Sequence, residues 1–156
     1  MNKKVLFVCV HNSARSQMAE AFLNKYGSKD FEAFSAGIEP GVLNLLVVKA
    51  MKEKGIDISD NKTKSAFDFV KQGKLFQYVV TVCDESTSQR CPIFPGVRER
   101  IMMSFEDPSS FTGSQEEQLG KIRKVRDKIE KEVLDLIEYI RSGNAKENFK
   151  NQWKRG

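Results

Sequence analysis

The run Lys4-Val5-Leu6-Phe7-Val8-Cys9 has no polar alternate positions, and a helical pattern follows it directly. An apolar, β-branched run of this kind reads as a strand buried on both sides, the mark of a parallel sheet. The helical pattern is Met18, Ala21, Phe22 and Lys25-Tyr26, stopped by Gly27. The alternation then continues. Phe31 to Ser35 is a second strand, closed by Ala36-Gly37, and Leu45 to Lys54 is helical with Leu46, Val47, Ala50 and Met51 on one face. Ser65 to Gly73 is a short helix or turn, and Gln77 to Cys83 is the strongest strand by β-propensity. Asp84 to Gly96 is polar and carries Pro92 and Pro95, which predicts a loop or a short helix. Ile101 to Phe105 is a fourth strand, and Asp107-Pro108 and Gly113 punctuate a loop. Glu116 to Ile140 is a long amphipathic helix, with Leu119, Ile122, Val125, Ile129, Val133, Leu136, Ile137 and Ile140 on its apolar face. The expected fold is a single α/β domain with parallel strands and helices on both faces of the sheet.

In such folds ligands sit at the carboxyl ends of the strands. Cys9 ends the first strand, Cys83 ends the strongest one, and Asp107 lies just past the last. These three reactive side chains should therefore gather at one edge.

The segment Cys9-Val10-His11-Asn12-Ser13-Ala14-Arg15-Ser16 leads from strand to helix. A loop in that place can turn successive backbone N–H groups inward as a nest for an anion. The following helix adds the positive end of its dipole. Arg15 can fold back and hold two oxyanion oxygens with its planar fork. The same field stabilises a thiolate on Cys9. Asn12 and Ser13 can brace the loop through their side chains, and Ser16 can cap the helix or donate to the Cys9 sulfur. A bare Cys-x5-Arg match arises by chance; in the first βα unit of an α/β chain it becomes specific. His11, the single histidine, has nothing in the sequence to orient it and reads as a rim residue.

Composition narrows the setting. The 156 residues suffice for one domain, with 40% hydrophobic and 30% charged residues. No apolar run approaches a membrane span, and Val5 to Val10 is too short for a signal peptide, so the cytoplasm is the expected compartment and no membrane partner is expected. An odd cysteine count, Cys9, Cys83 and Cys91, with no CxxC pair argues against a disulfide framework and against zinc. The net charge is +5, partly from Arg141, Lys146, Lys150, Lys154 and Arg155 in the tail against Glu147. That is modest, and it points to a solvated tail and anionic small substrates rather than nucleic acid. The catalytic domain is placed at 1–141 and the basic tail at 142–156, with Phe149 and Trp153 as the tail's apolar residues.

Val5 through Glu20, with the loop above, resembles the opening of the low-molecular-weight protein tyrosine phosphatase superfamily. It is similar in particular to that superfamily's thioredoxin-coupled arsenate reductases. The likeness continues through Ser35-Ala36-Gly37-Ile38, Lys49-Ala50-Met51 to Ile58-Ser59, Val79 to Cys83, Cys91-Pro92, Ser104 to Pro108 and the helix from Glu116. It implies a four-stranded parallel sheet flanked by helices, with the Cys-x5-Arg anion loop after the first strand. It also implies that Asp107 is the general acid that protonates the leaving oxygen, though an Asp-Pro pair is also a common turn former.

The resemblance leaves two branches. In a reductase, Cys9 attacks arsenate, Cys83 attacks Cys9 as arsenite leaves, and Cys91 carries the disulfide outward to thioredoxin, the external reductant. No bound cofactor is implied. In a phosphatase of phosphotyrosine or aryl phosphates, Cys9 and the acid suffice. Cys83 alone reads equally well as a packed small hydrophobe, so Cys91 carries the distinction. Its separation from Cys83 is one residue longer than those reductases usually have. Phosphatases of the family typically place a tyrosine after Asp-Pro; this chain has Ser109. Some of the reductases bind potassium near the loop. Asn12, Glu20 and Ser35 match that site, but Ser65 or Asp68 falls near the point where its aspartate would stand, so no metal is expected. A binding module that kept the loop and lost turnover is the third reading, disfavoured by the intact Cys9, Arg15 and Asp107.

Overall fold

The computed structural model describes residues 2–83, 89–143 and 153–155. Five strands form one sheet: β1 (Lys3–Cys9), β2 (Phe31–Gly37), β3 (Tyr78–Thr81), β4 (Glu99–Met102) and β5 (Lys154–Arg155), in the order β2-β1-β3-β4-β5. The first four pair in parallel, as the alternating pattern predicts, with Cys9 opposite Gly37 and Val8 opposite Thr81. β5 is antiparallel to β4 and comes from the tail, which composition alone did not mark as structured.

The chain leaves β1 for β2 on one side and later returns to β3 on the other. The carboxyl ends of β1 and β3 therefore flank the switch point, where connections diverge and a crevice opens. Cys9 ends β1, whereas β3 stops at Thr81, short of the Cys83 end that the β-propensity suggests, and Cys83 lies two residues past it at the same edge.

Side chains alternate across each strand and feed two cores. Val5, Phe7 and Cys9 face the larger layer, built by α1 (Arg15–Tyr26), α2 (Leu45–Lys52) and α4 (Gln115–Arg141). Leu6 and Val8 face the smaller one, with α3 (Ala66–Lys71), Phe76, Cys91 and Phe94. Phe76 centres that layer, meeting Phe34 and Phe94 edge-on at ring distances of 5.4 and 5.3 Å.

Helix starts follow side-chain chemistry. Asn44 caps α2, Ser65 caps α3, and Ser114 caps α4, with Glu117 completing a capping box. Among the described helices, α1 alone has no side-chain cap: its N-cap is Ala14, and its first turn holds no acid. That open, positive helix end points into the crevice beside Cys9.

β4 begins at Glu99, two residues before the apolar run suggests, because Tyr78 of β3 pairs with Glu99. The tail is anchored by Trp153, which is buried, stands edge-on to Tyr139 at 5.7 Å, and donates from Nε1 to Glu132 Oε1 at 3.2 Å. Phe149 lies outside the described residues.

Candidate active site

Every carbonyl from Cys9 to Ala14 is drawn away from the centre of the loop. Ile38, Glu39, Gly41 and Asn44 donate their N–H groups to the carbonyls of Cys9, Val10, His11 and Ser13 at 2.8–3.1 Å. Gln17 Nε2 donates to Asn12 O at 3.1 Å, and Met18 N donates to Ala14 O at 3.0 Å. A trans peptide points its N–H opposite to its C=O. The N–H groups from Val10 to Arg15 are thus turned to the other side, and Asn12 N–H meets Cys9 Sγ at 3.2 Å. N–H groups turned in this way can form a nest for an anion.

Asn12 makes the turn possible. It has φ of 55°, a left-handed conformation that asparagine tolerates better than most residues. Its buried side chain is fixed on three sides: Nδ2 donates to Ser16 Oγ at 2.7 Å, and Oδ1 accepts from Gln17 Nε2 at 3.1 Å and from Lys64 N at 3.0 Å. Ser16 Oγ lies 2.9 Å from Cys9 Sγ. That oxygen accepts from Asn12 and keeps its own proton, which it can donate to the sulfur. Ser16 therefore serves Cys9 and does not cap the helix. Ser13 contributes its carbonyl to the frame.

Arg15 is buried, and its Nη1 donates to Phe105 O at 3.3 Å. Its Nη2 lies 3.5 Å from Asp107 Oδ2. Asp107 caps the 3-10 turn Pro108–Ser110 by accepting from Ser109 N at 2.9 Å, which aims its other oxygen at the guanidinium. So Asp107 both forms the turn and faces the loop. His11 is exposed at the rim, and its Nδ1–H donates to Glu39 O at 2.8 Å.

The three cysteines form no disulfide. Cys83 is buried in the same layer as Cys9, its sulfur 3.8 Å from the Val8 carbonyl. Cys91 is buried too, but in the smaller core across the sheet. Burial pushes its thiol pKa up, partly opposed by the Arg100 guanidinium beside it. Of the segment Asp84 to Gly96, residues 84–88 lie outside the described ones.

No local sequence pattern assigns Gln17, Gly37 and Lys64 a part in the site. Gln17 is fully buried and ties the loop to the 61–64 segment: its Nε2 donates to Lys62 O at 3.1 Å and its Oε1 accepts from Asn61 Nδ2 at 3.0 Å. A Cβ at position 37 would lie 2.7 Å from Val10 O and 2.9 Å from Asn12 N, so only glycine admits the loop's backbone there. The signal available was a glycine ending a strand, which reads as punctuation.

The residues matching a potassium site do not fit an alkali ion. Asn12 Oδ1 already accepts two N–H donors. The Lys64 ammonium lies 3.9 Å from Glu20 Oε1. Like charges about 4 Å apart at an effective dielectric near 20 repel by about 4 kcal/mol. The buried Ser35 hydroxyl, beside the Glu20 carboxylate, does not outweigh that. Burial pushes the Glu20 pKa up, while Lys64 and Ser35 oppose the shift. No group of three or more His, Cys, Asp or Glu side chains among the described residues is arranged to hold a metal.

Residues 4–146 match the low molecular weight phosphotyrosine protein phosphatase family. The chain belongs to that family. Relatives in this phosphatase family include an arsenate reductase of Halalkalibacterium halodurans, 42% identical over 141 residues, which cover 88% of this chain and 98% of the relative. A low molecular weight protein tyrosine phosphatase from T. tengcongensis superposes with a TM-score of 0.72 at 26% identity, over 88% of this chain and 99% of that one. A thioredoxin-dependent arsenate reductase from Corynebacterium glutamicum superposes with a TM-score of 0.65 at 28% identity, over 91% of this chain and 63% of that one. As a member of the phosphatase superfamily the chain is an enzyme. No described helix is long and apolar enough to cross a membrane.

Proposed function

We propose that this enzyme is an arsenate reductase that works by a three-cysteine relay. The observation that carries the proposal is that Cys9 and Cys83 lie at the carboxyl edge of neighbouring parallel strands and are buried in the same core, in a chain similar to named arsenate reductases. The loop N–H groups and Arg15 hold the oxyanion, and Ser16 Oγ and Asn12 N–H reach the Cys9 sulfur at 2.9 and 3.2 Å.

Cys9 attacks arsenic, an S–As bond forms, and one As–O bond breaks as Asp107 gives its proton to the departing oxygen, which leaves as water. Cys83 then attacks the Cys9 sulfur. The S–As bonding pair stays on arsenic, so As(V) becomes As(III) and leaves as arsenite, while the two thiols are oxidised to a disulfide. Cys91 attacks Cys83 and releases Cys9, and the dithiol of thioredoxin reduces the Cys83–Cys91 disulfide. Because Cys91 packs across the sheet from Cys9, it must leave the Phe76–Phe94 layer to reach Cys83. The reaction belongs in the cytoplasm, where thioredoxin is kept reduced.

The phosphatase reading is supported by the structural likeness to a tyrosine phosphatase and by the Arg15–Asp107 pair, which suffices for phosphoryl transfer through Cys9. Paired assays decide between them. A reductase consumes NADPH with arsenate, thioredoxin and thioredoxin reductase. In it Cys91→Ser allows a single turnover and stops the next. Brisk hydrolysis of an aryl phosphate without reductant, unaffected by Cys83→Ser or Cys91→Ser, would establish the phosphatase instead. Cys9→Ser abolishes activity in both, and surviving turnover in that variant overturns either mechanism.

A further inference from the structure

Lys64 is woven into the back of the anion loop. Its N–H donates to Asn12 Oδ1 at 3.0 Å, and its carbonyl accepts from Gly37 N at 2.7 Å. Those two partners are the residue that turns the loop and the glycine that the loop lies against. The side chain then runs the other way. Its Nζ donates to Lys62 O at 3.1 Å and reaches to 3.9 Å from Glu20 Oε1. The Glu20 side chain is 15% exposed and that of Lys64 32%. The Ser35 hydroxyl behind them is fully buried.

A carboxylate so enclosed needs a cation beside it. We infer that the Lys64 ammonium is the resident cation of a partly buried site behind the anion loop, where it neutralises Glu20 and makes the loop independent of alkali ions in solution. Lys64 acts as a positioning residue: it touches neither Cys9 nor the oxyanion and works through Asn12, Gly37 and Glu20. The assignment holds whichever oxyanion Cys9 attacks.

The geometry also says what happens without the ammonium. Glu20 lines an open groove with Asn24, Lys25, Asp57 and Asn61, and the Lys25 ammonium there is turned to Lys54 O at 3.0 Å, so solution ions can reach the Glu20 carboxylate once the Lys64 ammonium no longer balances it. Removing the ammonium should therefore turn a self-sufficient site into one that recruits a monovalent cation, with the Ser35 hydroxyl free to join the ligands.

Thermal melts in potassium chloride and in choline chloride at equal ionic strength test this. The wild-type protein should melt at the same temperature in both, and its affinity for inorganic phosphate should be the same in both. Lys64→Gln should melt several degrees lower in choline chloride and recover saturably as potassium is added. The response should vanish in Glu20→Gln/Lys64→Gln. A saturable potassium stabilisation of the wild-type protein would overturn the assignment, and this arm needs no variant to fold. So would a Lys64→Gln protein that melts like wild type in choline chloride, or one that folds and ignores potassium.

Discussion

At the scale of single residues, the site divides into those that meet the substrate and those that shape the loop. In the proposed chemistry Cys9, Arg15 and Asp107 belong to the first group, and the structure sets Arg15 of the Cys9 loop beside Asp107. They were legible because a nucleophile and a guanidinium at fixed spacing, after a strand, make sense from local chemistry. Gly37, Gln17 and Lys64 belong to the second. Their partners lie across the fold, and no local pattern marks them. Gly37→Ala is the sharpest test of the second group. The new Cβ would meet Val10 O at 2.7 Å and Asn12 N at 2.9 Å, so the loop must shift. Misplacement of reacting groups by about 1 Å can cost about 100-fold in rate. Gly37→Ala should lose phosphate affinity and turnover together, by about that factor, while circular dichroism stays native. Wild-type kinetics in that variant would show that the close approach does not matter.

At the scale of elements, caps and clamps set where helices begin and how they meet. The long helix was read almost to its ends from its apolar stripe; β4 was placed two residues late because its first residues, Glu99 and Arg100, are polar. Their place in the sheet is set by partners: Tyr139 Oη donates to Glu99 at 2.9 Å and β3 supplies the ladder. The clamp between α2 and α4 was invisible for the same reason. Glu53, at the end of α2, accepts from Arg123 Nη2 at 2.7 Å and from Arg126 Nη1 at 2.8 Å. Hydrogen bonds from Arg123 and then Arg126 hold its carboxyl at a pKa of about 2, against an ordinary 4.5. A carboxylate depressed in the folded state adds stability that is present above its unfolded pKa and lost as pH falls through the folded one. The gap in unfolding midpoint between wild type and Glu53→Gln should thus be constant above about pH 5 and close as pH approaches 2. A gap of equal size at pH 7 and pH 2.5, or an NMR titration of Glu53 near its ordinary value, contradicts the clamp.

At the scale of the molecule, two cores on either side of one sheet separate the three cysteines. The alternating pattern made the parallel strands and their carboxyl edge legible, and with them the placement of Cys9 and Cys83 at that edge. It did not say that Cys91 would sit in the other core, because Cys91-Pro92-Ile93-Phe94 carries no period. The face it takes is set by Phe94 packing on Phe76 at 5.3 Å. That placement has a chemical consequence. Cys91 is 6% exposed, and burial keeps its thiol protonated beyond the usual range. Alkylating agents react with the thiolate, so a buried neutral thiol reacts slowly until its segment opens. In the reduced protein, iodoacetamide should label Cys91 far more slowly than a free thiol at pH 8, as read by peptide mass spectrometry. Phe94→Ala removes the aromatic contact that pins the segment and should speed that labelling while leaving Cys83 slow. The pairing matters, because faster labelling of both cysteines would mean general loosening of the fold. Rapid labelling of Cys91 in the untouched, reduced protein would place it outside the smaller core, and the opening step required of the relay would then have no barrier to cross.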